Sequence, residues 1–244
     1  MRLNPAILLY SALLIYFLTL PGKSYSQIDS VAVAILDSAS DRISELETCS
    51  FKFYTEFDKT SDEFGLVTHS EFGTFYLKGP DKLFIEKKGD KGHSKFFYNG
   101  NTFLLYSIDK NQYASMPASM TLIEFIDSVS LTYGIEFPGA DIFYPDFVDN
   151  ILDNSDNLEC IGLTMVGELE CYHIVGTAED MTFQFWVSSD GKYRLMKMMI
   201  DYILKPQTPR YRIVFADWKF DEPMDDMMFE FTPPADAIKI KIRK

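Results

Sequence analysis

The chain has 244 residues, 47% of them hydrophobic and 24% charged, a globular composition with ample material for a core. Its 23 basic and 36 acidic residues give a formal net charge of −13, which argues against a nucleic-acid partner, because affinity for a polyanion rests on Lys and Arg neutralising phosphates. Adsorption on anionic lipid through a basic face is disfavoured for the same reason, so any meeting with lipid has to run through an apolar cavity or rim.

The first 26 residues read as a secretion signal. Met1-Arg2 supplies a short basic start, Ala6 to Leu20 is an almost unbroken apolar run, and Pro21-Gly22 ends it before the small residues Ser24 and Ser26. The run is shorter than the ~20 residues of a spanning helix, which favours a cleaved leader over a retained membrane anchor. Cleavage after Ser26 leaves Gln27 first, and no Cys stands there to carry an acyl anchor. Residues 27–244 are then expected to be a single exported domain, periplasmic or secreted, that is not an integral membrane protein. It is more acidic still once Arg2 and Lys23 are gone. No linker and no internal repeat divides it.

Residues 28 to 47 place Val31, Ile35, Ala39, Ile43 and Leu46 at helical spacing behind Asp29, a capping residue. The period then changes to two. Phe51, Phe53, Thr55 and Phe57 share one face of a strand, with Lys52, Tyr54, Glu56 and Asp58 on the other. Strand signals run on to residue 115, with turns at Gly79-Pro80-Asp81, Gly89-Asp90 and Asn99-Gly100; the last is the strongest hairpin signal, since both residues tolerate positive φ. A second helix opens at Thr121-Leu122-Ile123-Glu124, in capping-box form, with Leu122, Phe125, Ile126, Val129 and Tyr133 as its apolar stripe. Residues 140 to 156 form a loop or short helix. Strands are expected at 157–166, 171–177, 181–188, 192–204 and 210–220. In the fourth of these, Met196, Met198, Ile200, Tyr202 and Leu204 share one face while Lys197 and Asp201 share the other. The fold class that fits is mostly β, a large curled antiparallel sheet forming an unclosed barrel, with two or three helices over its concave apolar face.

Catalytic and metal motifs are missing from the sequence. His69, His93 and His173 lie on separate strands and form no H-x-H or H-E-x-x-H pattern. Neither a G-x-S-x-G elbow nor a phosphate loop occurs. Asp153, Ser155, Asn157 and Glu159 alternate like the first ligands of a calcium loop, but Leu158 stands where its Gly is needed and Thr164 where its Glu is needed, so the segment reads as a solvated loop. No cofactor is implied. Cys160 and Cys171 flank a hairpin and are candidates for a cross-strand disulfide; the alternative is that they and Cys49 are small buried side chains.

Aromatic and thioether content stands out, with 21 Phe, 14 Tyr and 11 Met. Most of these must be core, but flexible Met and flat Phe also suit a pocket for an acyl chain. Short marks also occur in order along the chain. They are the Asn99-Gly100 hairpin leading to Tyr106 and Tyr113, Ala140-Asp141-Ile142, Gly162 to Gly167 followed by Cys171-Tyr172-His173, Phe185-Trp186-Val187, Ala216-Asp217-Trp218, and Phe229 to Ala237. Over most of residues 30 to 240 this succession resembles a family of predicted periplasmic proteins, domain of unknown function 2092. That family is grouped with LolA-like and LppX-like carriers, so the resemblance implies an unclosed barrel whose helices lid a hydrophobic cavity for lipid or lipoprotein acyl chains.

The expectation is therefore a non-enzymatic periplasmic carrier of a lipid, an acyl chain or another apolar ligand, lined by Phe51, Phe53, Phe183, Phe185, Met196, Met198, Ile200 and Tyr202. Two alternatives stand beside it. One is a module with a packed core that docks an envelope protein, the other a hydrolase whose residues meet only in space.

Overall fold

The computed structural model describes residues 27–242, so the signal-peptide expectation lies outside the described residues. The chain opens with β1 (Gln27–Ile28) and helix α1 (Ser30–Ser44). A meander follows: β2 (Thr48–Ser61), β3 (Gly65–Lys78), β4 (Lys82–Gly89), β5 (Gly92–Asn99), β6 (Thr102–Ser107) and β7 (Gln112–Pro117). Helix α2 (Leu122–Tyr133), a 3-10 turn (Ala140–Phe143) and helix α3 (Phe147–Asn154) interrupt it. The second run is β8 (Asn157–Val166), β9 (Leu169–Thr177), β10 (Thr182–Ser188), β11 (Leu195–Asp201) and β12 (Arg210–Phe220); a second 3-10 turn (Asp226–Phe229) and β13 (Ile238–Lys239) end the chain.

Local chemistry explains the element boundaries. Asp29 caps α1 by accepting from the Val31 amide at 2.9 Å, and α2 has the expected capping box, with Thr121 N donating to Glu124 at 2.8 Å. In α2, Leu122, Phe125, Ile126 and Val129 are buried as their spacing requires, and Gly134 ends the helix in the left-handed region at φ 62°. In α1 the expected Ile35 and Ala39 are buried and Ile43 and Leu46 pack on the core, joined by Ala32 and Leu36, whereas Val31 is 55% exposed. In the Asn99-Gly100 turn, the Asn99 side chain accepts from the amides of Asn101 and Thr102, at 3.1 and 2.9 Å.

All thirteen strands form one sheet in the order β1-β8-β9-β10-β11-β12-β2-β3-β4-β5-β6-β7-β13. Every pairing is antiparallel except the two short parallel edges, β1 on β8 and β13 on β7, and the sheet does not close. At ~4.8 Å between strands, a flat sheet of this size would be nearly ~60 Å wide, far more than helices ~10 Å across can cover. Yet one core cluster unites residues from β8 to β6 with all three helices, which requires the sheet to curl around them. Two glycines accommodate this on the concave face. Gly176 lies under the Phe183 ring and Gly73 under the Phe53 ring, each at a spacing that leaves no room for a Cβ. Three register shifts add local bends: between Cys160 and Gly162, between Trp186 and Val187, and between Ala216 and Lys219.

One of those shifts corrects the face assigned in β11. Phe185 pairs with Met198 and Trp186 with Lys197, but Val187 pairs with Leu195, so Met196 is turned to the convex side. There it packs with Cys171 and Trp186 in a small second cluster. The same strand ends at Asp201, short of the expected 204, and Leu204 is exposed. The cysteine pairing is also overturned. Cys160 packs on the concave core and stands opposite Ile174, whereas Cys171 is convex and opposite Thr164; all three cysteines are free.

Candidate functional site

The helices are distributed over the concave face. α2 covers β5 and β6, where Phe125 stacks on Tyr98 at 4.0 Å and meets Phe103 at 5.1 Å. α1 packs on β8, β10 and α3, and Phe147 of α3 meets Phe185 edge-on at 5.8 Å. Between them the first 3-10 turn sends Phe143 down onto Phe75 at 5.2 Å, and Phe75 in turn stacks on Phe51 at 4.7 Å. Gly139 brings that segment close to the sheet: a Cβ there would stand 2.7 Å from the Phe215 ring, and its φ of 72° also demands glycine.

Of the eight residues expected to line a cavity, Phe51, Phe53, Phe183, Phe185 and Met198 are on the concave face and buried under this lid. Ile200 and Tyr202 continue the face outward and are only partly covered. Met196 is on the other side of the sheet, as described above.

Two openings lead toward the concave face. A cleft of about 290 Å³ separates α1 from α2, bounded by Ile43, Leu77, Leu122, Ile142 and Phe143, with Ser40, Ser44 and Thr121 adding hydroxyls. Sequence reading missed it, because it depends on how far apart two helices settle. The other opening is a mouth at the far end of β2, β11 and β12. Here register puts Phe57 opposite Tyr211 and Tyr211 opposite Ile200, a row that continues the buried face with only partial cover.

The mouth is polar-tipped. Burial raises the Tyr211 hydroxyl, with Asp141 and Glu71 adding to the shift, and Tyr202 is raised by burial and then by Glu136 and Asp141, so both phenols stay neutral. Desolvation likewise raises the Asp141 carboxyl, with Glu136 as a like-charged neighbour. Thr55 Oγ1 is buried among these groups without a hydrogen bond of normal geometry, although the Tyr211 hydroxyl lies beside it. Lys87 pairs with Glu71 at 3.3 Å on the same face. Beyond the mouth, the β2–β3 and β11–β12 loops meet, with the Gln207 side chain 3.3 Å from where a Gly65 Cβ would be. Their tips expose Phe64 at 72% and Leu204 at 70%.

The histidines serve local structure. His93 bonds Glu86 at 2.7 Å, His173 bonds Gln184 at 2.9 Å and stacks on Trp186, and His69 stacks on Phe57. Among the described residues no three His, Cys, Asp or Glu side chains converge as metal ligands. In the segment read as a failed calcium loop, Asn157 bonds Thr177 Oγ1 instead.

An apolar concave sheet that does not close, covered by helices, defines a half-barrel with a helical lid. The chain belongs to the family described as predicted periplasmic protein (DUF2092), whose model matches residues 32–243, and the protein is periplasmic. No curated protein matches it. Similar solved structures include the lipoprotein LppX of Mycobacterium tuberculosis (14% identity, 81% of this chain and 98% of that one, TM-score 0.48). LprF from Mycobacterium bovis is similar at 14% identity, over 86% and 98% of the two chains, with TM-score 0.48. A LolA superfamily protein from Nitrosomonas europaea is similar at 10% identity, over 82% and 97%, with TM-score 0.35.

Proposed function

We propose that the protein is a non-enzymatic periplasmic binder of a molecule with a long apolar part, such as a lipid or acyl chain. The observation that carries this is the partly covered end of an otherwise buried apolar face. Ile200, Tyr202, Phe57 and Tyr211 extend the row of Met198, Ile213 and Phe183 to where the lid covers it only partly. Such a row suits an apolar chain entering from the mouth, with Phe183, Phe185 and Met198 deeper along its path and residues 135–144 giving way. At ~25 cal/mol per Å² of apolar area, burial of the chain supplies the affinity without a fixed polar contact.

The test is native mass spectrometry of the mature protein purified from its own envelope. A mass shift matched by an extractable lipid or acyl compound is expected, and a bare mass under conditions that preserve a known lipid complex would contradict the reading.

A second reading is favoured by one observation. β1 covers only the start of edge strand β8, at Asn157 and Leu158, and past it Ile161, Leu163 and Met165 are exposed. An open edge with apolar side chains suits strand addition by an envelope protein. Under that reading, Leu163→Lys abolishes a pull-down partner and leaves lipid content unchanged.

A further inference from the structure

Two ammonium groups share one aromatic ring at the mouth. Lys91 Nζ is 4.7 Å and Lys59 Nζ 5.7 Å from the centroid of Phe57, and His69 stacks on the same ring at 5.6 Å. Neither lysine has a carboxylate within ion-pair distance among the described residues. The acidic groups nearby are already engaged. Asp90 meets His69 Nδ1 at 3.4 Å and accepts from the Ser70 amide at 3.1 Å. Asp58 accepts from Thr68 Oγ1 at 2.6 Å and from the Arg210 amide at 2.9 Å. Glu71 is held by Lys87. Lys59 beside it, and then burial, keep Lys91 below the ordinary lysine range, although Glu71 acts in the opposite direction.

Such an arrangement runs against the rest of the molecule. In a chain of formal charge −13, carboxylates to neutralise a lysine pair are abundant, yet these two lysines sit beside each other at one ring. Phe57 is also the outermost large apolar side chain of the concave row, opposite both Tyr211 and His69, with Thr55 next inward. Two ammonium groups without an ion-pair partner among the described residues therefore stand where the apolar face meets water.

We propose that Lys59 and Lys91, flanking Phe57 and backed by Lys87, bind a carboxylate or phosphate group, the anionic head of the molecule whose apolar part the concave face takes. This rests on the apolar-ligand reading for the tail but not for the anion. An oxyanion between the two ammonium groups accepts a charge-assisted hydrogen bond from each and relieves their repulsion. The aromatic ring beside them limits hydration of the site and strengthens both interactions. The ligand class is then an anionic amphiphile with one chain or more, in preference to a neutral or zwitterionic one.

The test is isothermal titration calorimetry at low salt, below micelle formation, with dodecyl phosphate, dodecanoate, dodecyl maltoside and inorganic phosphate. The full mature protein is compared with the Lys59→Gln/Lys91→Gln double variant. Both side chains are exposed and make no ion pair among the described residues, so the variant keeps the fold, which a thermal melt checks. The expected result is that the anionic amphiphiles bind at least about tenfold tighter than the maltoside, that the preference shrinks with added salt, and that the double variant loses it while binding maltoside as before. Equal affinity for all three amphiphiles overturns the anion site and leaves the apolar reading standing. A preference that survives in the double variant overturns its assignment to these lysines. Inorganic phosphate bound as tightly as dodecyl phosphate, with no maltoside binding, identifies a free anion as the ligand and overturns the apolar reading alone. No binding of any probe overturns both.

Discussion

The two ends of the concave face are built from the same strands and behave as different materials. At the end held by Cys49, Phe51, Phe53, Phe75, Leu77 and Leu83, every concave side chain is buried, and rings from the lid interlock with rings from the sheet. Four to eight residues further along β2, the same face carries Thr55, Phe57, Glu71, Lys87, Tyr202 and Tyr211, most of them partly exposed and several polar. The first end is made for stability. The second has partly covered apolar area, a buried hydroxyl without a good partner and two lysines without an ion-pair partner among the described residues, which are the marks of a surface completed by something else.

The largest expected effect separates those ends by stability. Phe51→Ala removes a ring stacked on Phe75 and packed against Trp218 at 4.5 Å, and is expected to cost about 3–5 kcal/mol in urea unfolding. Tyr211→Phe at the mouth is expected to cost less than about 1 kcal/mol, since its hydroxyl completes no bond of normal geometry. Comparable losses at both positions would erase the distinction.

Gly176→Ala comes next. Its Cβ would lie 2.2 Å from the Phe183 ring, so the ring must leave its place over the strand, at about 1–3 kcal/mol in the same assay. A neutral result would mean that Phe183 already moves freely and that the packed region ends sooner than drawn here.

Asp29 tests the lid's anchor on the sheet. It caps α1 and its other oxygen accepts from the Cys160 amide at 3.1 Å, bonds that hold its carboxyl below the ordinary range. A depressed carboxylate contributes stability above its unfolded value and loses it as pH falls through the folded one. Asp29→Ala is therefore expected to lower Tm by a few degrees at neutral pH, Asp29→Asn by less, with both differences shrinking below roughly pH 3. Differences that persist undiminished in acid would show that the carboxylate charge is not involved.

The smallest effect lies at the mouth and has the opposite sign. Desolvation raises Asp141, so its ionised form is disfavoured in the folded protein at neutral pH and the penalty fades as acid protonates it. Asp141→Asn is expected to raise Tm slightly at neutral pH and to leave it unchanged once pH is below the ordinary carboxylate range. A fall in Tm at neutral pH would mean that Asp141 holds the lid in place.

Local signals carried much of this architecture. The Asn99-Gly100 hairpin, the Thr121 capping box and the alternation from Phe51 to Phe57 depend on a few adjacent residues, and each is found where its chemistry places it. Met196 went to the wrong face because one irregular residue in a ladder reverses every later side chain, and a bulge leaves no mark in a run of alternating apolar residues. The same blindness left a Cys160–Cys171 bond open as an alternative across a hairpin whose register also shifts. For the mouth, the limit was spatial. Lys59 and Lys91 are separated by two strands in the chain and meet only through the turn that follows Gly89. The start of the α1 stripe was misjudged by one position, since Val31 and Ala32 suit the pattern almost equally until the sheet is in place.

The claim that the mouth is the yielding end is tested most directly by hydrogen–deuterium exchange of the mature protein with and without dodecyl maltoside. The account predicts slower exchange in residues 135–144 and in the mouth ends of β11 and β12, with the amides of Thr48 to Phe53 unchanged. Protection confined to the open edge of β8, or none anywhere at saturating ligand, would contradict it.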